Sequence, residues 1–493
     1  MLTKYPHLRQ DFAASLVVFL VALPLCVGVA VASGVPAELG LVTGIVGGIV
    51  TGLMRGSSLQ VSGPAAGLTV LVFEAVNEFG LPALGVIVLA AGLIQLVMGA
   101  LKLGRWFRAI SVSVVEGMLA GIGLVIIAGQ LYSAAGLEAP ASGPDKILGL
   151  PGAVVDALGS TTALTSLAVG AGTIAVLVLW KKLPSKARTV PGALAAVLLA
   201  TLVTQVFDLS VATVEVNGLP ASIQPPGMDA FGSLADPAIL GTIIAFTLIA
   251  SAESLFSAAA VDRMHDGPRT EYDKELMAQG VGNTVCGALG ALPMTAVIVR
   301  SSANVQAGAR TKASRVMHGV WLLLFAALLP STLALIPLPA LAGILVHAGF
   351  KLIPFREIVS LWRHHRGEAL ILVATAVSIV AVNMFEGVLI GLALAVVKTA
   401  WEASHLRLEI VDKGAGPIHA HLSGNATFLR LPKILDSLES LPQDRPVELD
   451  LSGLHHLDHA CRTALENWAE RHSAVGTEPV RVTAPELVKV AAP

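Results

Sequence analysis

Apolar runs long enough to cross ~30 Å of hydrocarbon, which takes about 20 residues each, recur from Asp11 to about Glu402 and then stop. By hydropathy they lie near 12–33, 38–54, 61–77, 84–101, 110–131, 163–180 and 190–206, then near 239–261, 277–292, 298–309, 315–334, 338–354, 368–384 and 386–402. The pattern predicts an all-α polytopic membrane protein of about 14 spans in two series of about seven. An odd number of spans per series turns the second half upside down relative to the first. An inverted repeat relating 11–206 to 237–402 is therefore geometrically possible. The third and tenth spans read as short and interrupted. From 405 the hydrophobicity falls, and strands at 418–422, 447–451 and 480–483 alternate with helices at 426–441 and 461–472, a small α/β module. The expected domains are a membrane domain, 1–404, and a soluble domain, 405–493.

Composition agrees with this division, since 54% of residues are hydrophobic and 13% charged, against roughly 25% charged in soluble proteins. Charge placement sets orientation. With the N-terminus inside, the loops 102–109, 181–189 (Lys181, Lys182, Lys186, Arg188), 262–276, 310–315 and 351–367 carry three or four Lys or Arg each. On the other side, 132–162 holds only Lys146, and 207–238 holds none. This positive-inside alternation favours an even span count with both termini cytoplasmic. Lys4 and Arg9 precede the first apolar run as in a signal peptide, but the run is too long and leads straight into further spans, so a retained first helix is expected.

The interrupted spans carry the candidate chemistry. In Gly56-Ser-Ser-Leu-Gln-Val-Ser62-Gly63-Pro64-Ala65-Ala-Gly67, 59–62 is expected extended, Gly63 and Pro64 a helix start, and Ala65 onward helical. The tenth span opens alike, with 295–299 extended and Ser301 and Ser302 beginning a helix. A helix N-terminus presents unpaired N–H groups and a positive dipole end. Two such ends facing each other form an anion site; the plainer reading is a kink marked by glycine and proline. Arg300 lies beside the second end. A guanidinium at membrane depth costs roughly 2.5–3.5 kcal/mol or more, so it serves either a substrate or a salt bridge to Glu253. Glu253 and Ser257, four residues apart, share one helical face and offer oxygens to a proton or Na+. A fixed countercharge to Arg300 is the equal alternative. Glu38 opens the second span; an acidic first-turn residue is the default and proton coupling the lesser reading. Glu74, Gln95, Glu116 and Gln130 read as interhelical hydrogen-bonders. Cys26, Cys286 and Cys461 are too scattered for a disulfide or metal cage and read as packing residues. The segment 453–461, with three histidines, an aspartate and a cysteine, reads as a solvated loop rather than a metal site.

Over nearly the whole chain these residues resemble the sulfate permease family (SulP, solute carrier family 26). The marks are Ser62-Gly63-Pro64, Glu253, Arg300-Ser301 with Ala307-Gly308-Ala309-Arg310, and a terminal domain similar to STAS domains in Val447-Glu448-Leu449-Asp450-Leu451 and Asp458. The resemblance implies two inverted seven-span repeats forming core and gate domains that move relative to each other, a homodimer, and substrate between the third and tenth half-helices. It implies secondary active transport of small anions, of the sulfate, bicarbonate or dicarboxylate class, coupled to H+ or Na+, in a bacterial inner membrane. Glu253 and Ser257 resemble positions that bind the coupling cation in some members, and Arg300 resembles the tenth-span arginine. Three departures stand out. Pro24-Leu25 lies where many members place Gln or Glu near the proline, and Val299 precedes Arg300 where Ser is frequent. His459-Ala460-Cys461 replaces the Ser-rich loop of phosphorylatable STAS domains, so phosphoryl control is not expected. The rival classes are an anion channel or voltage-responsive protein on the same scaffold, and a nucleobase permease, against which the terminal domain argues. No paired nucleophile and base marks an enzyme, and no cofactor, metal or nucleic-acid partner is expected.

Overall fold

The structure, a computed structural model, describes residues 7–109, 111–140, 142–180, 182–184, 190–216, 218–414, 416–476 and 478–483. Lys4, Lys181, Lys186 and Arg188 of the charge pattern lie outside the described residues. The chain forms two compact units, Met1–Leu392 and Ala393–Pro493.

The first unit is helical. It opens with α1 (Leu8–Ala32) and α2 (Ala37–Val46), which continues as a π turn over Gly47–Thr51. Then come β1 (Ser62–Pro64), a 3-10 turn (Ala66–Leu68), α3 (Thr69–Phe79), α4 (Leu81–Ala100) and α5 (Val112–Ala134). Two short helices, α6 (Gly143–Leu148) and α7 (Leu150–Leu158), lead to α8 (Thr161–Trp180), α9 (Gly192–Val206) and the four-residue α10 (Leu219–Ser222). The second series is α11 (Pro237–Asp262), α12 (Tyr272–Ala288), β2 (Met294–Ala296), α13 (Ile298–Gln306), α14 (Ala313–Leu328), α15 (Leu338–Leu352), α16 (Phe355–His364), α17 (Arg366–Ala381) and α18 (Met384–Ala403). Among the described residues, seven stretches are long and apolar enough to cross a membrane: α1, α4, α5, α8, α11, Leu338–His364 and α18. The α2 helix with its π turn, α9 and α14 are shorter apolar helices.

Local boundaries depart from the hydropathy reading where polar residues are buried. The α12 helix begins at Tyr272 rather than near 277 because its polar side chains, Glu275, Gln279 and Asn283, turn inward and are buried. The segment 351–367 is not all loop; it holds α16, whose exposed face mixes Phe355, Val359 and Trp362 with Arg356 and Arg363.

Helix packing in this unit has a repeating plan. The α1 helix packs on α2 and α14, and α11 packs on α12 and α4. Likewise α2 lies against α14 and α12 against α4, while α5 touches both α15 and α17 and α15 touches α8. Close approach comes from small residues, as in membrane helix pairs generally. A Cβ on Gly48 would stand 2.8 Å from the Gly319 amide nitrogen of α14, and one on Gly280 would stand 2.7 Å from the Leu96 amide nitrogen of α4.

The second unit is a four-stranded sheet in the order β3 (Leu406–Val411), β4 (Ile418–Ala426), β5 (Val447–Leu457), β6 (Arg481–Thr483). The β3–β4 pair is antiparallel; β4–β5 and β5–β6 are parallel. Alternation explains one buried face: Ile418, Ala420 and Leu422, then Val447, Leu449 and Leu451, point into a core shared with Leu465 and Trp468. Two helices, α19 (Leu431–Glu439) and α20 (His459–Val475), contribute to that core. The expected loop 453–461 is corrected: 453–457 extends β5, and His459 to Cys461 open α20. His455 and His456 thus belong to β5 and His459 to α20, and no metal-sized cluster occurs among the described residues.

Asp458 caps α20, accepting from the amides of Cys461 (2.7 Å) and Phe428 (2.5 Å). Asp458→Ala is expected to cost this unit about 1–2 kcal/mol, read as faster amide exchange in α20; unchanged protection would refute the cap. Partial burial raises the carboxyl pKa, but the Cys461 and Phe428 amides outweigh it and the net shift is downward from 3.8. A depressed folded value makes the contribution complete above about pH 4 and progressively lost as pH falls through that value.

Candidate functional site

Two three-residue strands meet in the middle of the first unit. The β1 and β2 strands pair antiparallel, with Ser62 opposite Ala296, Gly63 opposite Thr295 and Pro64 opposite Met294. The ladder continues through Val297 N–H to Val61 O (3.0 Å). Because the strands run in opposite directions, α3 and α13 leave from opposite ends of the pair, each with its N-terminus toward it. The helix starts differ from expectation. Gly63 and Pro64 belong to β1, Ala65 is still extended, and helix begins at Ala66. On the other side the extended piece ends at Val297 and helix begins at Ile298, so Arg300 and Ser301 lie within the first turns of α13.

Polar side chains fasten this crossing. Ser301 Oγ accepts from Val61 N–H (2.9 Å) and donates to Val297 O (2.8 Å). Ser62 Oγ accepts from Gln279 Nε2 (2.8 Å), which also reaches Glu275 (2.7 Å). Asn304 donates to Leu59 O, Gln60 to Ser254 O, and the Ala296 amide to Ser254 Oγ. Asn283 accepts from the Met294 amide and donates to Gln95, which donates to Ser251. Ser302 is half-buried and bonds its own helix at Val299 O (3.0 Å). The predicted hydroxyls of Ser62 and Ser301 are therefore engaged in holding the strands together.

Arg300 is 1% exposed. Its Nη2 donates to Pro64 O at 3.2 Å, while Nε and Nη1 have no hydrogen-bond partner. The salt bridge to Glu253 is not formed among the described residues. Glu253 instead lies against Gly67: a Cβ there would be 2.7 Å from Oε1 and 2.8 Å from Oε2. The side chain of Thr295 is a neighbour, yet Glu253 Oε2 and Thr295 Oγ1 both lack partners. Ser257 is buried one turn further along α11 and makes no hydrogen bond with Glu253. Glu38, buried in the first turn of α2, accepts from the Gly218 amide (3.0 Å).

Gly63 leaves room for the Arg300 guanidinium as Gly67 does for the Glu253 carboxyl, so the Ser-Gly-Pro-Ala-Ala-Gly motif provides two seats for charge four residues apart. Leaving buried polar groups unpaired costs about 1–3 kcal/mol each, and more where they are charged. Such a site calls for a ligand or water.

Sequence reasoning missed three participants. His318 on α14 is fully buried with both ring nitrogens unpartnered, and the Arg300 guanidinium acts on it. Its signal was an ionisable residue at the start of the apolar stretch 316–328. Cys26, read as packing, lies beside Arg300, and Arg315 clamps Gly52 O, Gln60 O and Met54 O. Thr69, the first residue of α3, lines a cavity of about 470 Å³ between α1, α3 and α5, together with Asn77, Gln130, Ser133 and Lys146.

The glycine seats give a direct check. Gly63→Ala and Gly67→Ala are each expected to destabilise the purified protein by about 1–3 kcal/mol through overpacking. Gly152→Ala and Gly172→Ala, whose added Cβ meets nothing within 4 Å, are expected to leave the thermal midpoint unchanged or raised. Equal behaviour of the two pairs would remove the seat argument.

The profile of the Sulfate permease family matches residues 8–375. YvdB, a Bacillus subtilis protein assigned to sulfate transport, is 29% identical over 483 residues, covering 94% of this chain and 89% of its own. The bicarbonate transporter BicA of Picosynechococcus is 27% identical over 428 residues, 83% of this chain and 73% of its own. Among solved structures, the transmembrane domain of a cyanobacterial BicA has a TM-score of 0.68 at 23% identity, covering 80% of this chain and 98% of that one. SLC26A9 has 0.79 at 15% identity, covering 98% and 85%. Those two share the fold. With the profile spanning most of its length and this helix crossing at its centre, the chain belongs to the sulfate permease family of membrane anion transporters and is not an enzyme.

Proposed function

We propose that the protein is a secondary active transporter of small anions, of the sulfate, bicarbonate or dicarboxylate class, working by alternating access and coupled to H+ or Na+. The observation that carries this reading is the buried Arg300 guanidinium with Nε and Nη1 unpaired, at the start of a helix inside the membrane unit. A cation so buried is stable only with a negative partner, and the described residues supply none within salt-bridge range.

In this reading the anion sits where the backbone from Gly63 to Ala65 and the first turn of α13, including Ser301 and Ser302, converge, with N–H groups and helix dipoles as ligands. Glu253, with Ser257 one turn away, takes the coupling proton or Na+; Glu38 is a second candidate for the proton. The polar cavity that reaches Thr69 offers a route toward the start of α3. The inverted repeat is supported by the packing plan. Exchanging each span with the one seven places later turns α1–α14 into α11–α4, α2–α14 into α12–α4 and α5–α17 into α15–α8, all contacts that occur. The β1–β2 and α5–α15 pairs map onto themselves. Relatives named for sulfate and bicarbonate transport support the anion class. An inner-membrane protein with cytoplasmic termini, acting as a homodimer whose terminal sheet domain is a STAS domain, completes the proposal.

The test is uptake of labelled sulfate, bicarbonate and fumarate into proteoliposomes at two pH values, with and without Na+. Arg300→Gln is expected to lower uptake by about ten- to a hundredfold, the equivalent of ~1.5–3 kcal/mol for a lost charge-assisted bond. Glu253→Gln is expected to retain anion exchange and lose the response to the cation gradient. Undiminished uptake by Arg300→Gln would sink the site.

A further inference from the structure

His318 is fully buried on α14, in a stretch where an apolar side chain would have packed without loss. A neutral imidazole has one donor and one acceptor, and neither ring nitrogen of His318 makes a well-formed hydrogen bond, although the Arg315 backbone lies near the ring. The ring is held at the same crossing as Arg300. A Cβ on Gly48 would be 3.1 Å from His318 Nδ1, the preceding Gly47 lies against Ser62 O and Gly63 N, and Gly63 lies against Arg300 Nη1. The turn that brings them together is the π turn of α2, a backbone irregularity that recurs at functional sites.

Among the described residues the charge that acts on the ring is that of Arg300, and the Glu275 carboxylate acts on Arg315 one turn away. Arg300 faces it from α13, and the Arg315 backbone lies near it one turn earlier on α14, the Arg315 guanidinium being taken up by Gly52 O, Gln60 O and Met54 O. From α1, the Cys26 thiol lies beside Arg300. The π turn, Gly47–Thr51, and the 3-10 turn Pro330–Leu335, both packed on α14, carry no titratable side chain. The carboxylates of α1 and α2 are engaged elsewhere: Asp11 accepts from the Arg310 and Thr311 amides, and Glu38 from the Gly218 amide. A histidine in this position takes a proton when a negative charge joins it, and the group that brings negative charge to this crossing is the anion itself.

We propose that His318 sets the charge class of the transported anion: neutral, it leaves Arg300 as the one positive charge and suits a monovalent anion; protonated, it adds a second charge and lets a divalent oxyanion enter with one proton. The proton is taken from water on the side of loading and returned to water when the anion leaves, so each divalent anion moves with one H+. This inference rests on the anion site proposed above, and makes His318 a positioning and specificity residue within it.

The experiment uses the full-length protein in proteoliposomes with labelled sulfate and labelled nitrate as probes. Both keep their charge over the working range, so any pH response belongs to the protein. Sulfate uptake by the native chain is expected to rise as pH falls from about 7.5 to about 5.5, at up to about tenfold per pH unit for a one-proton requirement. Nitrate uptake should change by less than about twofold over the same range. His318→Gln, which keeps a donor and an acceptor but cannot carry the charge, should flatten the sulfate profile and lower the ratio of sulfate to nitrate uptake at about pH 5.5. His318→Asn is the second variant should the first fail to fold. A lumenal pH dye gives a readout independent of any variant, since sulfate entry must acidify the lumen. A sulfate-to-nitrate uptake ratio that keeps its pH response in either folded variant overturns the inference, since a proton taken at Glu253 acts on both anions alike and cancels in the ratio; sulfate entry without acidification overturns it too. Nitrate uptake that depends on Arg300 alongside no sulfate uptake also overturns it, while leaving the anion site standing. Uptake of both ions that ignores Arg300→Gln overturns the site as well.

Discussion

The structure of the membrane unit depends on one constraint, the burial of a guanidinium without a carboxylate beside it. Arg300 makes a single 3.2 Å bond to a carbonyl, far less than five N–H donors require. A charge in that state tolerates little movement of its surroundings, because each lost dipole is felt at low dielectric. The crossing of β1 and β2 is accordingly overdetermined, with backbone pairing reinforced by Ser62, Ser301, Asn304, Gln279, Asn283 and Ser254. Glycine at 63 is part of the same constraint, since a side chain there would occupy the space the guanidinium fills.

The use of hydroxyls for framework has a chemical consequence. With Ser62 and Ser301 engaged in fastening strands, the groups left over to meet a small anion are backbone N–H groups, helix dipoles and charge. Such ligands respond to size and charge more than to the pattern of donors and acceptors on the solute, because amide donors at a helix start accept any compact anion. Discrimination between anions of similar size then falls to the count of positive charges at the site.

Much of the fold was legible in the sequence, for identifiable reasons. Long apolar runs have one solution in hydrocarbon, so the helices recur close to where hydropathy places them. The broken spans were legible from Gly63 and Pro64, but the helix start was not. Proline within a short paired strand looks the same as proline in a first turn, and only pairing with Met294 distinguishes them. The separation of Arg300 from Glu253 could not be read, since both lie near the same crossing and linear spacing is silent on which side each occupies. His318 has no motif beside it, and its one mark in the sequence is an ionisable side chain opening an apolar run. In the second unit, Ser452 and Gly453 resemble turn residues, yet β5 runs through them by means of register shifts against β4. Alternation marks strands well and irregular pairing poorly.

The packing plan gives a reason why the two charges of the crossing stand apart. If α1 and α11 are equivalent, so are their approaches to the two half-helices: Cys26 of α1 lies beside Arg300 at the start of α13, and Glu253 of α11 lies at the start of α3. The framework is near-symmetric, but one helix contributes a thiol and the other a carboxylate. Were an acid at both places, Arg300 would be neutralised within the protein and the site would bind no anion. Were it at neither, there would be no place for a coupling cation. The crossing thus holds a guanidinium against Gly63 and a carboxyl against Gly67, with no salt bridge between them among the described residues. In the proposed transport cycle, a travelling anion would pair the guanidinium and a travelling cation the carboxyl, which is what the separation of the two groups leaves room for.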